Sequence, residues 1–216
     1  MKDDFTFDES AHLYTVNGFK VPSVTQILAP LTVGKYPANT GVVQQAASRG
    51  SRVHELCQLY DLDSLPSEFE GELIPYVQAW VDFCRDYRPE WLFVEKPMHY
   101  GVDFAGTMDR LGLIDGRHVV VDIKSAQSLD RPAKVALACQ LGAYQRMAKK
   151  NGLCQTERPE DAFGVQLLKT GRYRLYRRDD LERVYNFNSQ NVFSALVSLY
   201  GITHGRAAEK EGVAHE

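Results

Sequence analysis

The sequence has no long apolar run and no recognisable leader segment, and these two absences exclude several classes of protein. No stretch of 18 or more consecutive apolar residues occurs, so we expect no membrane-spanning helix. The first residues, Met1-Lys2-Asp3-Asp4, are acidic and lack the apolar segment of a secretory signal peptide. We therefore expect a cytoplasmic protein that has no membrane partner.

The cysteines are few and widely scattered. Cys57, Cys84, Cys139 and Cys154 form no C-x-x-C pair, the spacing that is typical of a structural zinc site. Packed, reduced thiols are the simpler interpretation, and the sequence predicts no iron–sulfur cluster.

A large excess of charge of either sign is also lacking. The formal net charge of −3 gives no global attraction to nucleic acid, so any contact with DNA must come from local basic patches. Material for a core is present, because 44% of the 216 residues are hydrophobic and 11% are aromatic. With no repeat or linker, we expect one domain over residues 1–216, with an N-terminal β-hairpin extension over 1–22 and a flexible polar tail over 204–216.

Local patterns predict an α/β fold. The turn signals Asn17-Gly18 and Asp115-Gly116 each lie between strand-like segments, and apolar residues from Glu72 to Tyr87 follow helical spacing. Further helices are predicted at about 23–28, 40–60, 132–150 and 189–201, and further strands at about 91–98, 162–168 and 172–177. This order indicates a central mixed β-sheet with an antiparallel hairpin, residues 104–124, flanked by helices.

The central hairpin brings charged residues together by arithmetic alone. If its turn has two residues, Ile114 pairs with Arg117, and counting outward puts Asp109 directly opposite Asp122. Lys124 lies two residues further along the same strand and therefore points to the same face. The register thus predicts two carboxylates and one ammonium within a few ångströms of one another.

The neighbours of these charges are apolar on both faces of the hairpin, which is typical of a strand sandwiched between helices. Two carboxylates opposed in such a place destabilise the fold and raise one pKa unless a cation compensates. Mg²⁺ or Mn²⁺ would do so, because both prefer hard carboxylate oxygens. From spacing alone, a partly buried structural triad in which Lys124 pairs with one aspartate is an equally good interpretation.

Four sequence elements in order resemble a known family. They are Arg49-Gly50-Ser51-Arg52-Val53-His54, Gly106-Thr107-Met108-Asp109, Val121-Asp122-Ile123-Lys124-Ser125 and Gln140-Leu141-Gly142-Ala143-Tyr144. Together with the opening segment from Tyr14 to Thr25, they resemble the PD-(D/E)XK nuclease superfamily, and most nearly its RecB-like exonuclease branch, which includes phage recombination nucleases. The Pro-Asp pair that names the superfamily is absent here, since Met108 precedes Asp109.

The resemblance implies a restriction-endonuclease-like fold and a metal site. Asp109 and Asp122 would ligate Mg²⁺ or Mn²⁺, and the backbone carbonyl of Ile123 would add a ligand. His54 would be an extra metal ligand, which is characteristic of the RecB-like branch. Lys124 would orient or activate the attacking water and stabilise charge on the phosphate.

Supporting roles follow from the same resemblance. Gln140 and Tyr144, one helical turn apart, would brace the site or contact substrate. Arg49 and Ser125 would contact substrate as well. Arg131, at the start of the helix that follows the hairpin, could meet a phosphate.

Two other charged segments have open interpretations. For Glu95, a role in the site and an ion pair with Lys96 at a sheet edge are equal alternatives. A basic stretch interleaved with tyrosines, from Lys169 to Arg178, resembles a nucleic-acid surface, but a solvated edge strand protected by charge fits equally well.

The expected function is a Mg²⁺-dependent DNA exonuclease. A structure-specific endonuclease, a catalytically inactive nuclease-fold module that binds DNA, and an ordinary structural α/β protein are the alternatives. DNA is the expected partner, and a recombination or single-strand annealing protein is a second candidate.

Overall fold

Within the described part of the chain, the strands form two β-sheets, one small and one large. A computed structural model describes residues 3–32, 41–154 and 158–205. The small antiparallel sheet consists of β1 (Phe5–Asp8), β2 (Leu13–Val16) and β3 (Phe19–Val21). The large sheet has the spatial order β4 (Glu90–His99), β5 (Ala105–Ile114), β6 (Arg117–Lys124), β7 (Ala162–Leu167) and β8 (Tyr173–Arg177). Its neighbouring strands are antiparallel except for the parallel pair β6–β7.

The described ranges contain six α-helices. They are α1 (Val24–Thr32), α2 (Gly41–Asp61), α3 (Ile74–Tyr87), α4 (Arg131–Lys150), α5 (Arg178–Tyr185) and α6 (Ser189–His204). Ser23 caps α1, because its hydroxyl accepts the N–H of Gln26 at 3.1 Å while the Gln26 side chain accepts the N–H of Ser23 at 2.8 Å. α4 supplies the crossover that parallel strands β6 and β7 require.

Helices cover both faces of the large sheet, and each face has its own apolar core. α4, with α1 and α6 behind it, packs on the face that carries Leu111 and Val120. α2 and α3 pack on the opposite face, against Val119, Val121 and Ile123. The predicted α/β fold, a mixed sheet flanked by helices, is confirmed, and both faces of the central hairpin are buried as its apolar residues indicate.

The turn between β5 and β6 sets the register of the central hairpin. Asp115 and Gly116 both adopt positive φ angles, 50° and 72°, as a two-residue turn of type I′ requires. Ile114 consequently pairs with Arg117, and the ladder continues outward from that pair without a bulge. The predicted register of the hairpin is therefore confirmed.

Two features differ from the sequence predictions. The N-terminal hairpin is present as β2 and β3, but β1 pairs with β2 and adds a third strand. The basic stretch is not a continuous basic surface, because Arg178 opens the unpredicted helix α5 and its buried guanidinium donates to Gln145 and Ser189. The neighbouring Arg177 lies over the ring of Phe163.

Some predicted boundaries fall outside the described residues. α6 ends at His204, where the predicted tail begins, and residues 206–216 of that tail are not described. Thr40, the predicted start of the second helix, is not described either. Within the described ranges, no helix combines the length and apolar character needed to cross a membrane.

Gly112 marks a close approach between β5 and β4. A Cβ atom at this position would lie 2.7 Å from the backbone oxygen of Glu90, next to a register shift in β4. We predict that Gly112→Ala lowers the free energy of unfolding by about 1–3 kcal/mol, because backbone must move to admit the methyl group. Urea unfolding measures the effect. Gly71→Ala is the control, since its Cβ position has no atom within 4 Å, and equal midpoints for the two variants would contradict the prediction.

Candidate active site

Three carboxylates lie in a row across three adjacent strands of the large sheet. The β4–β5 register places Glu95 opposite Asp109, and the β5–β6 register places Asp122 opposite Asp109, one step beyond the last paired residues. Directly opposed residues have Cβ atoms about 5 Å apart. We call Glu95, Asp109 and Asp122 the carboxylate row, and the other functional side chains are arranged around it.

Asp109 joins β5 to β6 where their backbone ladder ends. Its Oδ2 atom accepts a hydrogen bond from the backbone N–H of Ile123 at 2.7 Å and lies 3.5 Å from Nδ1 of His54. The side chain is 9% exposed, so the carboxylate is held in place while still reaching the surface of the cleft.

Asp122 is buried without the hydrogen bonds that a buried carboxylate normally accepts. Neither of its oxygens has a partner of normal hydrogen-bond geometry within the described part of the chain. Oδ2 makes an ion contact of 2.8 Å with Nζ of Lys124. Burial raises the pKa of Asp122, Lys124 opposes that shift, and the carboxylate of Asp109 adds to it. The site therefore carries negative charge that its own residues do not fully compensate.

Lys124 is held by a chain of side chains from α4. Its Nζ donates to Oε1 of Gln140 at 3.0 Å, and Nε2 of Gln140 donates to the hydroxyl of Tyr144 at 3.0 Å. Burial alone would lower the pKa of Lys124, but Asp122 and Asp109 outweigh it and raise that pKa. The Tyr144 ring fits against Gly106, where a Cβ atom would lie only 3.1 Å from it.

His54 reaches the carboxylate row from α2. Its Nε2 atom lies 3.0 Å from the backbone oxygen of Ile123, and because a carbonyl can only accept, Nε2 carries a proton. Nδ1 is then directed to Asp109, at 3.5 Å, and to Glu95, at 3.9 Å. Burial lowers the pKa of His54, but the carboxylates of Asp109 and Glu95 outweigh burial and raise it.

Glu95 belongs to the site because of an unusual backbone conformation. Its φ angle is +47°, which is rare for a residue other than glycine and typical of strained functional positions. The ion-pair partner of its carboxylate is Arg110, at 3.0 Å, whereas Lys96 lies over the ring of Phe93. Ligand atoms of His54, Glu95 and Asp109 all lie within 4.8 Å of one another.

Arg110 anchors the row from the opposite face of the sheet and was not singled out from the sequence. The side chain is fully buried, and its Nε atom donates to Oδ2 of Asp61 at 2.6 Å. Oδ1 of Asp61 accepts the indole N–H groups of Trp80 and Trp91, at 2.9 and 3.0 Å. This buried ion pair supports Glu95 from behind, although Nη2 of Arg110 has no hydrogen-bond partner among the described residues.

Two connected clefts open over this group. The larger, of about 880 Å³, is lined by His54, Glu95, Asp109, Asp122, Lys124, Gln140 and Tyr144, and on its far side by residues of the small sheet. The smaller, of about 260 Å³, is lined by Arg49, Ile123 and Ser125 and shares Gly50, His54 and Lys124 with the larger one. Of the site residues expected from the sequence, Arg131 lies outside both linings, over the ring of Tyr185.

Comparison with known proteins identifies the family. Residues 69–206 match the model of the PD-(D/E)XK nuclease superfamily, and this match spans more than half of the chain. The chain therefore belongs to the PD-(D/E)XK nuclease superfamily, whose members are metal-dependent nucleases that hydrolyse phosphodiester bonds. The search of curated proteins returned no match. The carboxylate row and Lys124 lie inside the matched region, whereas His54 and the small sheet precede it.

Asp122 and Asp61 are two buried aspartates with opposite surroundings. Asp122→Ala removes a carboxylate that lacks hydrogen bonds and faces Asp109, so we predict that the metal-free protein becomes more stable by about 1 kcal/mol. Asp61→Ala leaves the buried Arg110 with only Glu95 as a carboxylate partner among the described residues and removes the acceptor of two indole N–H groups, so it should destabilise by about 3–5 kcal/mol. Urea unfolding in EDTA measures both variants, and a similar loss in the two would disprove this contrast.

The advantage of Asp122→Ala should depend on pH. Because the pKa of Asp122 is raised in the folded state, the folded wild type takes up a proton more readily than the unfolded chain and gains stability as pH falls through that pKa. The difference between variant and wild type should be largest near neutral pH and shrink toward about pH 4, the ordinary pKa of an aspartate. If the stability difference between Asp122→Ala and wild type does not change with pH, the prediction is wrong and the difference comes from side-chain volume.

Proposed function

We propose that the protein is a DNA exonuclease that uses Mg²⁺ or Mn²⁺, with Asp109, Asp122, Lys124 and Gln140 at its catalytic centre. The observation that carries the proposal is the buried Asp122 carboxylate, which lies beside Asp109 and whose close contact among the described residues is that of Oδ2 with the ammonium of Lys124. A structural triad would satisfy both oxygens from within the protein, whereas Oδ1 has no partner among the described residues. A cation site leaves them available.

The residues around the carboxylate row fit a hard divalent cation. Carboxylate oxygens of Asp109 and Asp122 would hold it, and Nδ1 of His54 and the carboxylate of Glu95, which have ligand atoms within 4.8 Å of that of Asp109, would join them. The carbonyl oxygen of Ile123 has a second lone pair beside the hydrogen bond from His54, so it remains a candidate ligand. When bound, the cation would supply a nucleophilic water near neutral pH and neutralise charge on the phosphate.

Lys124 would provide a fixed positive charge beside the scissile phosphate. Its raised pKa keeps the ammonium charged at neutral pH. An ammonium has three N–H groups, so its contacts with Gln140 and Asp122 leave a third for a phosphate oxygen or for the attacking water. Tyr144 holds Gln140 in place and also borders the cleft, where it would contact the substrate.

The smaller cleft suits a neighbouring phosphate of the same strand. The Nε atom of Arg49 is buried and has no hydrogen-bond partner in the described part of the chain, and the hydroxyl of Ser125 lies in the same lining. A guanidinium and a hydroxyl are common phosphate ligands. Gly50 sits between the two clefts, and a Cβ atom there would meet only Ser125, at an ordinary 3.6 Å, so substrate passage is a better reason for this glycine than packing against the sheet.

The finer parts of the proposal rest on the sequence motifs. We propose that the protein belongs to the RecB-like, phage-type branch, acts in the cytoplasm in DNA recombination or repair, and forms one nuclease domain over 1–216. An annealing or recombination protein is a candidate partner. No iron–sulfur cluster is proposed, since Cys57 and Cys139 are buried in cores on opposite faces of the sheet.

We predict that purified protein degrades end-labelled linear DNA with Mg²⁺ or Mn²⁺ and leaves closed circular DNA intact. In EDTA it should cleave neither DNA. Lys124→Ala and Asp122→Ala should lower the cleavage rate by at least about 100-fold, because each removes charge from the reacting centre. Lys150→Ala is the control, an exposed lysine at the end of α4 that lies outside both clefts.

Each alternative gives its own result in this assay. Cleavage of closed circular DNA would show an endonuclease. Binding without cleavage in every cation would show an inactive DNA-binding module. A normal rate for folded Lys124→Ala would refute the assigned mechanism.

His54 offers a second test that does not depend on cleavage. We predict that His54→Ala weakens Mn²⁺ binding by about 10-fold or more, because imidazole nitrogen is a favoured ligand of that cation compared with Mg²⁺. Isothermal calorimetry without DNA measures the affinity. His118→Ala, a histidine of β6 outside the clefts, should bind Mn²⁺ like wild type. Equal affinity in wild type and His54→Ala would remove His54 from the metal site.

A further inference from the structure

The far side of the larger cleft is an aromatic surface supplied by the small sheet. Phe7 of β1 and Tyr14 of β2 are directly paired, and their rings stack at 4.6 Å between centroids. His12 packs edge-on against both rings, at 5.7 Å from Phe7 and 5.4 Å from Tyr14. We call these three residues the aromatic wall. All three line the cleft, with Tyr14 buried, Phe7 half-buried and His12 exposed.

The aromatic wall is fixed at a set distance from the carboxylate row. The Tyr14 hydroxyl makes a hydrogen bond of 2.9 Å with the hydroxyl of Thr107. Thr107 precedes Asp109 by two residues in β5, which corresponds to about 7 Å along the strand. A phosphate at the carboxylate row would therefore have a nearby base of its own strand at the aromatic wall.

The charges around the wall favour a neutral group over a phosphate. Glu9 and Glu55 line the same cleft, Glu55 in an ion pair of 2.8 Å with Arg52, and the cationic Lys124 lies beside Asp122. Carboxylates repel the phosphates of a nucleic-acid backbone, but they tolerate an uncharged base and can accept its amino groups. Aromatic side chains stack on the face of any base. The cleft thus combines a lysine suited to phosphate with an aromatic surface suited to a base.

We propose that the aromatic wall stacks an unpaired base of the strand being cut, so that the substrate is single-stranded DNA or the frayed end of a duplex. The proposal rests on the nuclease function proposed above and adds the substrate class. A base within a duplex has both faces covered by its neighbours and cannot stack on a side chain. The small sheet lies outside the region matched by the family model, which begins at residue 69.

The test compares two phenylalanines of the same strand. Phe7→Ala removes the half-buried ring of the wall, whereas Phe5→Ala removes a ring that stacks on His99 at 4.8 Å and more distantly on Tyr14, at 6.4 Å, and does not line the cleft. We expect Phe7→Ala to lower the affinity for a fluorescent single-stranded oligonucleotide, and kcat/KM for its cleavage, by about 5- to 100-fold. Phe5→Ala should have the affinity and kcat/KM of wild type. Phe7→Tyr, which keeps an aromatic ring, should retain most of both.

Oligonucleotides with a single abasic position identify the stacked base. In wild type, one abasic position should weaken binding as much as Phe7→Ala does, and the two changes together should cost no more than either alone. Wild-type affinity of folded Phe7→Ala, or an equal loss in Phe5→Ala, would overturn the proposal. If wild type binds DNA but does not cleave it, the nuclease proposal fails. The affinities for the fluorescent oligonucleotides still decide whether the wall stacks a base.

Discussion

The arrangement of the site depends on one constraint, which is that carboxylates from three neighbouring strands meet inside a sheet covered by helices on both faces. Asp61 adds a fourth carboxylate behind them. Two cations of the same region, Arg110 and Lys124, pair with these carboxylates. Four negative and two positive charges leave a deficit that a single divalent cation would balance. The buried charge is therefore arranged so that metal binding would complete its compensation.

The packing of α4 on the sheet explains the spacing of the residues in the sequence motifs. Gln140 and Tyr144 lie one turn apart on the helix face toward the sheet, and together they fix the position of Lys124. Gly106, three residues before Asp109, leaves room for the Tyr144 ring. Residues that are far apart in the chain thus form one packed unit, in which a glycine, a tyrosine and a glutamine determine where the ammonium stands.

The part of the site that local rules control could be predicted from the sequence. A two-residue turn and the strand period of two were sufficient to place Asp109, Asp122 and Lys124 on one face, because no bulge interrupts β5–β6. Glu95 could not be assigned in this way. Its position depends on a left-handed backbone conformation in β4. Its ion-pair partner Arg110 is also held by Asp61, a buried aspartate of α2.

Long-range packing accounts for the other features that the sequence did not reveal. Nothing in the local pattern of residues 5–16 indicates that Phe7 and Tyr14 face a cleft formed by β4 to β6, since that depends on how the small sheet docks through Thr107. Arg178 is a similar case. The sequence suggests surface charge beside other basic residues, but an ion pair with Glu182 and hydrogen bonds to Gln145 and Ser189, from two other helices, make a buried position acceptable for it.

The balance of charge in the larger cleft also constrains the order of events. Without a cation, a DNA strand would approach the side chains of Glu9, Glu55, Glu95, Asp109 and Asp122 with only Lys124 as a permanently positive group in the same lining. Repulsion in a partly enclosed cleft is screened less than on an open surface. Cation binding should therefore precede or accompany DNA binding, so that the metal and the substrate are coupled through electrostatics before any bond is broken.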